Sequence, residues 1–165
     1  MNRPYTSVLA VGIGAVAGLR ALAAPAVLVW AVKRRWIRLG NSPFATIISA
    51  KASKRITDLA ISELIADKLP FTPSRLNAGP LTSRIVSGAV CGATIYGVAD
   101  GPLAEGAVLG GVGAIAGAFA GYYTRKRLSG DVPNLGIAVL EDALAIGGGI
   151  IIIALAAPTR ERKPD

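Results

Sequence analysis

A small set of ionisable residues lies where charge is hard to keep. Arg20 falls near the middle of an apolar run from Ser7 to Val32. Glu141 and Asp142 lie inside a second run, from Asn134 to Ala157, roughly 10 Å from its start at about 1.5 Å per residue. Glu63 and Asp67 are four apart and share one helix face. A charge inside a bilayer costs at least ~2.5 kcal/mol on insertion scales, so it is kept when paired, wetted or functional. The pattern predicts Arg20 inside a bundle, opposite one or more of these acids. One reading is a salt bridge that sets helix register. The other is a cation or proton pathway through Arg20, Glu63, Asp67, Glu141 and Asp142, where carboxylates replace hydration or change protonation with access. Neighbouring Glu141 and Asp142 point about 100° apart on a helix, so they cannot share one small ion. One could pair with Arg20 while the other serves a pathway or an interface.

A second constellation follows Ser62. Lys68, Arg75 and Arg84 bring positive charge, Thr72 and Ser74 bring hydroxyls, and Pro70 and Pro73 stiffen the turn. Such a loop could hold an anionic lipid headgroup or a phosphate through charge-assisted hydrogen bonds. It could also be a rigid connector whose charges set topology. The chain has no His and one Cys. That excludes histidine-bound zinc or haem, a Cys–His nucleophile and an internal disulfide. No metal site, no cofactor and no enzyme activity are expected.

The elements that must position these residues are apolar. Of 165 residues, 52% are hydrophobic and 17% charged, with a mean hydropathy of +0.52, far from a soluble domain's ~25% charged. The reading is an all-α, polytopic helical membrane protein in a single domain. Four runs approach the roughly 20 residues that a span needs: 7–32, 81–99, 103–123 and 134–157. A fifth stretch, 56–69, is helical in pattern but short and charged, and Pro70 ends it. It is read as a broken or re-entrant half-helix, with a fifth span as the alternative. Arg84 is read as snorkelling to the interface. The net charge of +8 sits in clusters such as Lys33-Arg34-Arg35 and Arg125-Lys126-Arg127, beside spans, which argues for topology and against nucleic acid. With four spans, 13 Lys and Arg fall on one side and 4 on the other, which makes the richer side cytoplasmic. The apolar run continues past Ala21-Leu22-Ala23 to Lys33, so the first segment is read as retained, not cleaved.

Glycines mark the helix faces. Gly106, Gly110, Gly113, Gly117 and Gly121 recur at three- and four-residue spacing, and Gly14/Gly18 and Gly88/Gly92 are four-residue pairs. Small-xxx-small stripes let membrane helices approach closely. They predict internal packing, or one stripe left for a homodimer or a larger membrane complex. Gly14-Ala15-Val16-Ala17-Gly18 is similar to Gly113-Ala114-Ile115-Ala116-Gly117, which hints at an internal repeat of the kind found in transporters. The glycines from Gly12 to Gly18 do not make a dinucleotide loop, because no acid follows until Asp58.

The run Glu63-x-x-x-Asp67-Lys68-x-Pro70-x-Thr72-Pro73-Ser74-Arg75 carries a resemblance. With Gly18-Leu19-Arg20 before it, and Pro80-Leu81-Thr82-Ser83-Arg84 and Ser87-Gly88-Ala89 after it, the chain resembles domain-of-unknown-function family 4126. The likeness covers most of the chain. It implies a small bacterial-type membrane protein and singles out Arg20, Glu63, Asp67, Lys68, Arg75 and Arg84, without implying a reaction.

Two functions fit. One is a small inner-membrane transporter or channel, linked to protons or cations through its intramembrane carboxylates. The other is a membrane scaffold that packs through glycine-rich faces. Substitution separates them. In a transporter, Glu63→Gln or Glu141→Gln should abolish flux in proteoliposomes and leave folding intact. In a scaffold, Gly117→Leu should break assembly, read by native electrophoresis.

Overall fold

A computed structural model describes residues 2–37, 54–60, 78–128 and 134–157. All regular structure among the described residues is helical. The first apolar run does not form one helix. It gives α1 (Arg3–Leu19) and α2 (Ala23–Lys33). Arg20 lies between them with extended backbone, φ −142° and ψ 112°. The physical cause is Pro25. In a continuous helix its ring would clash with the carbonyl of Ala21 and it would have no N–H to offer that group. In the first turn of α2 the missing N–H costs nothing.

The break reverses the chain. Along α1, Gly12 faces Ile152, Val16 faces Gly148, and Arg20 meets Asp142. Along α2 the order is opposite, with Val27 beside Gly149. The segment expected to span from 7 to 32 is therefore a helical hairpin with its tip at Arg20–Leu22. Ile37 returns to the same core cluster as Leu9 and Ile153. Lys33, Arg34 and Arg35 consequently sit at the same end as Arg3, which corrects the charge division drawn from four straight spans.

Three longer helices follow: α3 (Ala78–Val98), α4 (Leu103–Leu128) and α5 (Asn134–Ala156). They match the runs expected at 81–99, 103–123 and 134–157. The turn from α3 to α4 closes when the Gly101 N–H donates to Tyr96 O at 2.9 Å, with Asp100 at φ 53°. This places left-handed backbone directly after the helix. Two helical segments, Leu103–Leu128 and Gly136–Ala156, are long and apolar enough to cross a membrane. Of the stretch expected to be a half-helix at 56–69, residues 56–60 are described and lie in a helical stretch, 54–60. The rest of it lies outside the described residues.

Glycine decides the packing. A Cβ at Gly14, Gly18, Gly88, Gly92, Gly106, Gly110, Gly113 or Gly117 would come within 3.0 Å of a neighbouring helix's backbone. Gly110 faces both Gly14 of α1 and Gly88 of α3, so α4 lies in the groove between them. Gly121 is buried on the same helix. The two similar Gly-x-x-x-Gly segments thus pack against each other. Their architectures differ: six residues after its first glycine, α1 reaches Arg20 and breaks, while α4 reaches Phe119 and continues. The hinted repeat does not extend to the architecture of these two segments.

On α4 the large side chains lie outside: Val108, Val112, Ile115, Phe119 and Tyr123 are exposed, and the buried residues are all Gly or Ala. Leu140, Leu144, Ile151 and Leu155 are exposed on α5. Larger side chains, among them Leu9, Ile13, Leu28, Ile37, Ile95 and Ile153, fill the core elsewhere. The stripe predicts a sharp contrast. Gly110→Ala should cost about 1–3 kcal/mol through overpacking. Gly147→Ala, which meets nothing within 4 Å, should be neutral. Thermal unfolding of both variants in one detergent measures the difference.

A candidate site at the hairpin tip

A broken helix leaves carbonyls without donors. Here α3 supplies them. Arg84 Nη1 donates to Gly18 O at 2.6 Å and to Leu19 O at 2.9 Å. Ser87 Oγ donates to Ala21 O, the carbonyl that Pro25 cannot serve. An unpartnered buried polar group costs about 1–3 kcal/mol, so these bonds hold the break open. Arg84 is only 4% exposed. It is buried within the bundle, where its Nη1 serves the α1 terminus, and does not snorkel to an interface as the sequence suggested.

The tip also carries two ion pairs. Arg20, 1% exposed, pairs with Asp142 of α5. Glu141, the next residue on α5, accepts from Arg125 Nη2 of α4 at 2.7 Å. The two acids diverge as adjacent helical residues must. Each therefore meets a different arginine. Buried pairs carry a large desolvation cost and persist only with good geometry, and removing one partner is strongly destabilising. The cluster locks three elements together: the hairpin tip, the C-terminal end of α4 and the N-terminal third of α5.

The Arg20–Asp142 pair forms part of the wall of a cavity of about 300 Å³. Ala23, Ala26, Val27 and Trp30 of α2 line one side, and Ile146 and Ile150 of α5 line the other. Thr57 and Ala60, from the helical stretch 54–60, complete the described wall. Trp36 meets the ring of Trp30 edge-on at 4.9 Å, and the Arg34 guanidinium lies 5.5 Å from the same ring. Among the described residues, the result is a largely apolar chamber with one charged pair and the Thr57 hydroxyl in its wall.

The structure thus brings together Arg20, Glu141, Asp142 and Arg84, near Gly18. Gly14, Gly88, Gly92, Gly106, Gly110, Gly113 and Gly117 pack helices elsewhere in the bundle. Glu63, Asp67, Lys68, Thr72, Ser74 and Arg75 lie outside the described residues. Sequence reasoning missed Ser87, Arg125, Trp30 and Pro25. Pro25 was a visible signal, since a proline inside an apolar run marks a helix break. Arg125 was hidden in a cluster read as topology-setting. At the opposite end, Ser7 Oγ and Tyr96 OH lie 2.6 Å apart, and Tyr96 OH donates to Glu105 Oε1 at 3.0 Å. That chain ties α1, α3 and α4 at the far end of the bundle.

A double-mutant cycle tests the pair. Arg20→Met or Asp142→Leu alone should cost about 3–5 kcal/mol, and the double variant should recover most of it. Denaturant unfolding followed by circular dichroism gives all three values.

A comparison with curated proteins and with solved structures returns no match. A family model described as a domain of unknown function, DUF4126, matches residues 8–160. That range takes in the hairpin, its tip, the arginine cap from α3 and both acids of α5, and the chain belongs to this family.

Proposed function

We propose that the chain is a polytopic protein of the bacterial inner membrane, a small transporter or channel that moves protons through an intramembrane carboxylate. In this reading α3, α4 and α5 cross the bilayer and the α1–α2 hairpin is re-entrant. The membrane setting is supported by α4, which packs through small residues and exposes large apolar ones, and by the two long apolar helices. Transport is supported above all by one observation: a helix broken inside the bundle, with a buried ion pair at the break and a cavity beside it. Interrupted helices of this kind form the binding sites of many carriers. Irregular backbone at membrane depth is tolerated only where protein or water surrounds it.

Asp142 is the group we assign to the proton. Arg20 faces it from the hairpin tip, and α2 brings no charged group to the cavity wall. Arg125 of α4 holds the neighbouring Glu141, and Arg84 of α3 serves the α1 carbonyls. Lys54, Arg55 and Asp58 are exposed on the stretch 54–60, which turns Thr57 to the cavity. A proton on Asp142 would remove its charge from the pair with Arg20. A metal-ion pathway is supported less, because both acids of α5 already meet arginines. The scaffold alternative is supported less as well, because the glycine faces it would use are occupied within the chain.

Proteoliposomes carrying an imposed pH gradient and an internal pH-sensitive dye test the carrier. The wild type should dissipate the gradient faster than empty liposomes. Asp142→Asn should slow it about tenfold, while Glu105→Gln, at the far end, should not. A folded wild type no faster than empty vesicles would sink this reading.

A further inference from the structure

We infer that the C-terminal turn of α2 is a headgroup site for an anionic phospholipid, with Lys33, Arg34 and Arg35 on the phosphate and Trp30 and Trp36 seated at the membrane surface beside it. The inference rests on the membrane reading and not on proton movement. The turn closes on its own backbone. Arg35 takes left-handed backbone at φ 58°. The Trp36 N–H donates to Ala31 O at 2.9 Å and the Arg35 N–H to Val32 O at 3.0 Å. This paired closure ends a helix without help from side chains. Trp36 is folded back onto Trp30, Arg34 lies over the Trp30 ring, and buried Ile37 anchors the turn in the core. The carbonyls of Ala31 and Val32 therefore need no basic side chain. Lys33, Arg34 and Arg35 are exposed and join no ion pair among the described residues.

The level of this turn in the bundle points to its partner. α2 has 11 residues, about 16 Å, roughly half of a ~30 Å hydrocarbon core. It runs the same way as α5, with Val27 beside Gly149. From that contact α2 continues to Lys33 and α5 to Ala156, where the apolar segment Gly136–Ala156 ends. At about 1.5 Å per residue the two helix ends lie at nearly one level. Three cations thus sit where the apolar span stops, with two half-exposed indoles beside them. Indole rings favour that boundary, and Lys and Arg side chains reach from it to the headgroups. Charge then selects among heads. A zwitterionic head brings a cation of its own, which three basic side chains repel. Phosphatidylglycerol brings a phosphate and no cation, and a guanidinium fork matches two phosphate oxygens.

The full-length protein reconstituted in phosphatidylcholine vesicles tests the inference. Co-flotation with the vesicles, read first, tests the membrane setting itself. The chain has two tryptophans, Trp30 and Trp36, so its emission reports lipid at this turn. Dibrominated phosphatidylcholine quenches them on contact, and an unbrominated lipid that displaces it restores emission. Phosphatidylglycerol should displace it about tenfold better than phosphatidylcholine does, and added salt should shrink that preference. Lys33→Gln with Arg34→Gln and Arg35→Asn should abolish the preference; asparagine tolerates the left-handed backbone at position 35. Lys126→Gln with Arg127→Gln, exposed at the other end of the bundle, should leave it unchanged.

A preference that survives the triple substitution, or that the Lys126 and Arg127 changes remove, would overturn the inference. So would unquenched tryptophans in protein that floats with the vesicles. Loss of the preference on adding water-soluble glycerol phosphate would overturn it as well, by giving the cluster to a soluble anion. Proton flux through Asp142 without the lipid preference removes this inference alone. Lipid preference without flux removes the carrier alone, and protein that does not float removes both.

Discussion

The carbonyl groups of Gly18, Leu19 and Ala21 must find donors, and much of the architecture follows from how they do. Pro25 forbids a continuous helix, and the break exposes the end of α1 within the bundle. Water would serve these carbonyls at a surface. Here Arg84 and Ser87 of α3 serve them, which fixes the register of α3 against α1. The same break lets α2 turn back and brings Arg20 to Asp142. One interrupted ladder of backbone hydrogen bonds therefore sets the hairpin, the position of α3 and the ion pair on α5.

Such a design needs helices that approach closely, because long side chains between α1, α3 and α4 would hold Arg84 away from the break. The glycine stripes remove that obstacle. Gly110 lies where α1 and α3 both reach α4: a methyl group there would strike the α3 backbone at Gly88, and one at Gly14 of α1 would strike Gly110. Close contact between backbones also gives dense dispersion attraction along the α4 face, which buries only Gly and Ala. The aliphatic bulk of α4 is on its other face, where the proposed lipid contact lies.

The cavity beside the tip gives the ion pair a role that register alone would not require. A pair that only stapled helices would gain from full enclosure, which removes competing water. This one forms part of the wall of an apolar chamber bounded by α2, α5 and the stretch 54–60. Its two members are unequal: one keeps its charge and the other can surrender it to a proton. In the proposed reading that inequality is what lets a proton act on the pair, while Glu141 meets Arg125 of α4.

Much was legible in the residue types. Apolar runs with small-residue spacing gave three of the helices to within a few residues at most ends, because length and hydropathy are local properties. The divergence of Glu141 and Asp142 followed from helical geometry alone. The membership of Arg20 in a buried pair followed from the cost of an isolated charge. The hairpin was not read, although Pro25 signalled it, because the hydropathy of 7–32 is continuous across the break. Arg84 and Arg125 read in the sequence as charges beside spans, because the sequence alone does not reveal which carbonyl or carboxylate will lie opposite a guanidinium. The sequence by itself determined which residues could not remain alone. Tertiary structure decided which partner each received, since partnership depends on distance across helices that are far apart along the chain.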